Sequence, residues 1–282
     1  MAPTAPTHIP VLLAATLQHA ALKKEARALD ATLGLAGHAR EFLKKMGPNG
    51  KLVAFEADAE NLSLARKNLA EFPNRELHHA NFRTIKNYAQ KNYFDLIFFD
   101  LGVASPQLDV AERGFSFQRP GPLDLRFDRR QILTAAGFLN GATEFEIARV
   151  LREFGEIGIA KKIARKIIEF RQRQKFQTTQ DLADLIQPVS LRPQVFQALR
   201  ILVNDELTSL KIALQAVPNL LRRGGKIGVI AFHSLEDRIV KNFLRESLEL
   251  KVLTKKPIKP SSAEQAQNPR ARSARLRFAV LE

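Results

Sequence analysis

The chain has 282 residues, enough for one large domain or a domain carrying an insertion, with a substantial core. It holds 44 Lys and Arg against 29 Asp and Glu, a net charge of +15, which points to a polyanionic partner. There is no cysteine, which excludes disulfides and thiolate metal sites, and the six histidines lack the paired spacing of a zinc site, so no metal is expected.

No segment reaches the apolar length of a membrane span. Residues 1–7 lack the charged region and apolar core of a signal peptide, so a cytoplasmic protein is expected.

His8-Ile9-Pro10-Val11-Leu12-Leu13 leads into a short helix. Arg27-Ala28-Leu29-Asp30-Ala31-Thr32 reads as a strand, followed by Gly34-Leu35-Ala36-Gly37-His38 and a helix through Phe42 and Met46. A strand, a glycine turn and a helix open a nucleotide-binding βαβ unit, although the turn is G-x-x-G and not G-x-G-x-x-G. The second strand, 51–55, ends in Glu56-Ala57-Asp58. An acid there can accept both hydroxyls of a ribose diol, and Glu56 fits that role. Asp58 fits a helix N-cap, because residues 59–66 read as helical. A third strand over 76–82 ends in Phe82, which either stacks on an adenine or belongs to the core.

The fourth strand, Phe94-Asp95-Leu96-Ile97-Phe98-Phe99-Asp100, is an apolar run of buried parallel type. Ligands of open α/β sheets collect beyond the carboxyl ends of the strands, so Asp100 is a candidate for chemistry, the alternative being a turn cap. The stretches 112–117 and 121–128 that follow form a long, polar segment punctuated by Gly and Pro, the character of a functional loop.

From Pro106 the βα alternation gives way to helices over 134–140, 144–153, 158–174 and 179–186. A helix over 195–217 returns to the sheet, Arg222-Arg223-Gly224-Gly225 turns, and 226–232 is a fifth strand. Ser234 is the expected N-cap of the helix that follows, and 268–278 ends in a strand-like alternation. The fold class is α/β, a doubly wound Rossmann-like sheet formed by 1–108 and 195–282 and interrupted by a helical insertion, 109–194.

These motifs resemble one family: the bacterial ribosomal small-subunit RNA cytidine N4-methyltransferases, RsmH, formerly MraW. The matching blocks are 8–13, 30–38, 100–109, 112–117, 121–128, 197–207, 232–240 and 268–277, spread over nearly the whole chain. The resemblance implies a class I S-adenosylmethionine-dependent methyltransferase fold. It also implies methyl transfer to the exocyclic amine of a cytidine in the decoding region of 16S ribosomal RNA, within the small ribosomal subunit.

Cofactor contacts carry over to Ala36, Gly37 and His38 at the turn, and to Glu56, Phe82, Asp100 and Gln107. The chain departs from the family in three places: it has Leu35 and Ala36 where the family is richer in glycine, Glu56 where the family has Asp, and a shorter region around 188–193.

A cytosine amine is a poor nucleophile because its lone pair is conjugated into the ring. A carboxylate such as Asp100, accepting one N–H, favours attack and helps the proton leave. The base must be held out of its stack by aromatic or guanidinium faces. Arg113, Phe115 and Phe117 are candidates, or else form a small hydrophobic anchor. Asn204, with Asp205 and Glu206, is a polar cluster in a predicted helix that either lines a pocket or caps a buried loop.

In the 158–174 helix, Ile159, Ile163, Ile167 and Phe170 define the expected buried face, with Arg171 towards it. Lys161, Lys162, Arg165, Lys166 and Arg173 lie opposite, suited to phosphate contacts or simply solvated. A non-catalytic RNA-binding or assembly protein retaining the fold is the alternative function. A nicotinamide dehydrogenase is disfavoured by the missing G-x-G-x-x-G, and a DNA amino-methyltransferase by Asp-Leu-Gly-Val at 100–103 in place of an Asp/Asn-Pro-Pro-aromatic motif.

Overall fold

The computed structural model describes residues 10–88, 90–116 and 119–282. Two compact units emerge. The first comprises residues up to Gly102 together with Leu207–Glu282, and the second is Val103–Glu206.

The first unit is built on a seven-stranded sheet. In chain order the strands are β1 (Arg27–Asp30), β2 (Lys51–Glu56), β3 (Arg75–His79), β4 (Phe94–Asp100), β5 (Leu221–Ala231), β6 (Leu250–Val252) and β7 (Arg275–Leu281). Their order across the sheet is β3-β2-β1-β4-β5-β7-β6. β3 through β5 are parallel, and β7 runs antiparallel to both β5 and β6. This is a doubly wound nucleotide-binding arrangement, with order reversing between β1 and β4.

The central strands are buried on both faces, as their continuous apolar runs require. One layer of core packs Phe42, Met46, Leu96 and Phe98 with Phe278; the other packs Phe55, Phe94, Ile97 and Phe99 with Leu210, Leu214 and Val217.

Several boundaries differ from the sequence reading. β3 stops at His79, and Phe82 opens a short 3-10 turn capped by Asn81. β5 begins at Leu221, because the Arg222–Gly225 turn is an excursion within its pairing to β4: Leu221 faces Phe94, and Lys226 faces Leu96. Gly225 is needed there, since a Cβ would lie 2.6 Å from the Phe94 carbonyl oxygen. His233, not Ser234, is the N-cap of the helix Ser234–Glu246, in a reciprocal capping box with Glu236. β6 has only three residues, too short for a period-2 signal.

The second unit is helical, with helices Ala135–Gly141, Glu144–Gly155, Ala160–Arg173, Thr179–Leu185 and Arg192–Asn204 around one core. The helix Arg192–Asn204 packs on Glu144–Gly155 and so belongs to this unit, which therefore extends beyond residue 194. The helix expected over 195–217 is two helices. Asp205, in the left-handed region at φ 48°, separates Arg192–Asn204 from Glu206–Leu220.

Candidate active site

Strand pairing brings three acids out at one edge of the sheet. Asp30 is in register with Ala54 of β2 and Phe98 of β4, so Glu56 and Asp100 each lie two residues further along, at the carboxyl ends. Between β1 and the helix Gly37–Met46 the chain turns through Gly34 (φ 52°) and Ala36 (φ 69°). An alanine in this region costs on the order of 1–2 kcal/mol, a strain that glycine would avoid. Gly37 cannot be replaced so easily, because a Cβ there would come within 2.6 Å of Pro10 Cγ.

Glu56 fastens this turn. Its Oε2 accepts from Gly34 N at 2.7 Å and its Oε1 from Asp58 N at 2.9 Å. Each oxygen keeps a second lone pair for a ligand hydroxyl. Burial pushes the Glu56 carboxyl up to about 7, outweighing the two backbone bonds, and the neighbouring charges of Asp58 and Asp30 add to the rise. Asp58 caps the helix Ala59–Asn68, accepting from Glu60 N.

Buried Asp30 and His38 and half-buried Asp100 form a cluster beside the turn. His38 Nε2 lies 3.0 Å from the Val11 carbonyl oxygen and Nδ1 lies 3.4 Å from Asp100 Oδ2. Phe98 and Phe42 pack against the imidazole. Burial pushes the imidazole pKa down. The Asp100 hydrogen bond and charge, the Asp30 charge and the Val11 carbonyl outweigh it, so the net direction is upward. Asp30 is pushed up to about 7, first by burial, against the pull of His38 and the Thr32 amide, and also by the Asp100 charge.

Thr32 ties the strand ends together. Its amide donates to Asp30 Oδ1 at 3.1 Å, and its hydroxyl oxygen accepts from Asp100 N at 2.6 Å. Asp100 Oδ1 is buried and has no hydrogen-bond partner. A buried carboxylate oxygen in this condition is uncommon and marks the strand end as a place of strain or function. Asp30 and Thr32 were not singled out from sequence; the only signal was their place between the first strand and the turn.

Among the other expected site residues, Phe82 is half-buried and edge-on to Phe99, their ring centroids 5.9 Å apart. Gln107 belongs to the second unit, where its Oε1 accepts from Ala104 N. Phe117 lies outside the described residues.

Arg113 and Phe115 turn inward within the second unit. Arg113 is buried and donates to the carbonyls of Arg126 and Phe127, while Phe115 stacks on Phe127 at 5.5 Å as part of the core. Asn204 is buried and clamps the same loop: Oδ1 accepts from Phe127 N at 2.7 Å, and Nδ2 donates to the carbonyls of Leu125 (2.7 Å) and Arg200 (2.9 Å). Its amide is thus committed to capping a buried loop, where Leu125 adopts φ 64°. Glu206 pairs with Arg200 through two bonds of 2.8 and 3.0 Å.

On the helix Ala160–Arg173, Lys161, Lys162, Arg165 and Arg173 are exposed and Lys166 is half-buried, opposite Ile163 and Ile167. Ile159 departs from the expected buried face. It precedes the helix as its N-cap and is 42% exposed. Arg171 donates to the carbonyls of Leu139 and Ala142, satisfying the end of the helix Ala135–Gly141.

The sequence profile of the MraW methylase family matches residues 5–281. The chain is 40% identical to "Ribosomal RNA small subunit methyltransferase H" of Caldicellulosiruptor saccharolyticus, over 96% of this chain and 98% of that protein. It is 44% identical to the protein of the same name from Trichormus variabilis, over 97% of this chain and 91% of the other. Among solved structures, a Clostridium thermocellum protein provisionally classed as an rRNA methylase aligns with a TM-score of 0.51 at 12% identity. The alignment covers 98% of this chain and 100% of that one, a likeness of fold.

Proposed function

The chain belongs to the MraW methylase family, and on that premise we propose that it transfers a methyl group from S-adenosylmethionine to ribosomal RNA of the small subunit. The acceptor in this reading is the exocyclic N4 amine of a cytidine in the decoding region of 16S RNA, and the place of action is the cytoplasm. The observation that carries the reading is the convergence of the Gly34–His38 turn, Glu56 and Asp100 at one sheet edge, with Asp100 Oδ1 buried and unpartnered.

The residues present fit the cofactor. Glu56 offers one free lone pair on each oxygen to a ribose diol, the turn offers close backbone, and Phe82 offers an aromatic face. When bound, S-adenosylmethionine supplies an electrophilic methyl group on its sulfonium.

The protein's own work is to orient and to accept. The Asp100 carboxylate takes a hydrogen bond from the cytidine amine, localising the nitrogen lone pair for attack; after the nitrogen–carbon bond forms, the displaced amine proton passes to that carboxylate. In-line positioning contributes most of the acceleration. The exposed cations of the helix Ala160–Arg173 serve RNA phosphates in this reading, which suits a chain of net charge +15.

The test combines transfer of labelled methyl groups to small ribosomal subunits and their free RNA with mass mapping of the product nucleotide. Asp100→Asn is expected to bind S-adenosylhomocysteine and to lose most turnover at saturating cofactor. Full turnover in that variant removes Asp100 from the chemistry. Folded wild-type protein giving no calorimetric signal with the methyl donor refutes the enzyme and leaves an RNA-binding protein.

A further inference from the structure

We propose that His38 is the positioning residue for Asp100: anchored at Nε2 by the Val11 carbonyl, it holds Asp100 Oδ2 with Nδ1 and so fixes the orientation in which the carboxylate meets the substrate amine. This rests on the reading of Asp100 as the amine's acceptor.

The geometry carries it. A carboxylate at a strand end can swing about its last torsion, a broad two-fold rotor, and expose either oxygen. Here the carboxylate is held from the side of Oδ2, by Nδ1 at 3.4 Å, while the Asp100 amide is fixed to Thr32. The imidazole cannot follow the carboxylate. Its other nitrogen is 3.0 Å from Val11 O, and Phe98 and Phe42 pack against it.

A carbonyl accepts only, so Nε2 carries a hydrogen. Nδ1 can then hold Asp100 only in the doubly protonated ring. Loss of that proton turns a lone pair on Nδ1 towards a carboxylate oxygen, and the clamp becomes repulsive. The titratable groups facing His38 are Asp30 from β1 and Asp100 from β4, with Glu56 in turn facing Asp30. Both aspartates favour the cation.

Two experiments test the clamp, and one needs no turnover. In ¹⁵N-histidine NMR of the whole protein, with the His38 signal assigned by its loss in His38→Asn, the wild-type imidazole should titrate above the ordinary histidine value. In Asp100→Asn it should titrate about one unit or more lower, a tenfold drop in proton affinity. An unchanged titration in Asp100→Asn overturns the proposal whatever Asp100 does in the reaction.

The second experiment compares two substitutions. Asparagine places its amide nitrogen near the former Nδ1 and glutamine places its own near Nε2. His38→Asn should therefore keep more turnover than His38→Gln, with kcat at saturating S-adenosylmethionine reduced by about tenfold and a hundredfold respectively. The alkaline fall of kcat, set by loss of the His38 proton, should disappear in His38→Asn. The reverse order of the variants, or the same alkaline fall in both enzymes, reduces His38 to a strut for residue 11. Inactive Asp100→Asn beside fully active His38 variants sinks the clamp alone; active Asp100→Asn with a shifted His38 titration sinks the catalytic reading alone.

Discussion

Asp30 gives the sharpest test of the electrostatics at the sheet edge. Its carboxyl is buried and pushed up to about 7 from 3.8, a rise of roughly three units. A group whose folded pKa lies above its unfolded value contributes stability at low pH and loses it as pH climbs through the folded pKa. Stability therefore falls increasingly above pH 3.8, where the unfolded chain ionises Asp30 and the folded protein keeps it protonated, and the full burden is present above about 7, where the buried carboxyl ionises too.

At 1.36 kcal/mol per unit, the burden is about 1.5 kcal/mol at pH 5 and about 4 kcal/mol at pH 8, an upper bound on a buried group. Asp30→Asn keeps an oxygen for the Thr32 amide, now 3.1 Å from Oδ1, and removes the charge. The variant should match the wild type near pH 4 and become the more stable protein as pH rises. Urea unfolding at pH 5, 6, 7 and 8 reads the difference through the midpoint and slope. Groups that titrate alike in both proteins cancel. Glu56 adds a smaller effect of the same sign, because the Asp30 charge helps to raise it. A stability difference that is flat with pH, or that shrinks as pH rises, refutes the reasoning. The same substitution should lower the His38 titration, since Asp30 is one of the two charges that favour its cation.

Other outcomes follow from the same structure. Cofactor affinity should rise between pH 6 and 8, because a diol donates to the ionised Glu56 carboxylate, which is pushed up to about 7; calorimetry showing no pH dependence removes Glu56 from the ribose site. Asn204→Ala orphans the buried Phe127 amide and the Leu125 carbonyl, at about 2–4 kcal/mol, read as a lower melting temperature and faster proteolysis within residues 124–131. Gly37→Val should fold poorly or lose cofactor binding, since its side chain meets Pro10, whereas Gly47→Ala, with open space around it, should cost only the strain of φ 71°. Lys162→Glu combined with Lys166→Glu should raise the apparent KM for RNA and flatten its salt dependence by roughly one unit of slope per lost phosphate contact, with cofactor affinity unchanged; unaltered KM and salt slope make that face merely solvated.

What could be read from sequence and what could not divide along a physical line. β1, β2 and β4 are apolar runs ended by an acid or a glycine turn, so local pattern located Asp100 and Glu56 before any pairing was known. The parallel register then set Asp30 opposite Phe98, two residues short of Asp100, which lies seventy residues on in the chain; no local pattern encodes that approach.

Asn204, Arg113 and Phe115 each carry two readings in the sequence. Their residue types suit RNA contact, and the same types suit a buried loop whose backbone needs donors and acceptors. Leu125 in the left-handed region turns the 124–127 backbone so that Phe127 N and Leu125 O point at Asn204, 77 and 79 residues away. The helix must end at Asn204 to offer that amide, and Asp205, one of the residue types that tolerates a positive φ, ends it. Read forward, Asn204-Asp205-Glu206 is a polar interruption of a helix; read from the structure it is a loop clamp, a helix stop and an ion pair with Arg200. Polar residues inside a helical pattern are therefore ambiguous until their long-range partners are known, whereas an acid at the end of an apolar strand already occupies the one place in such a sheet where ligands collect.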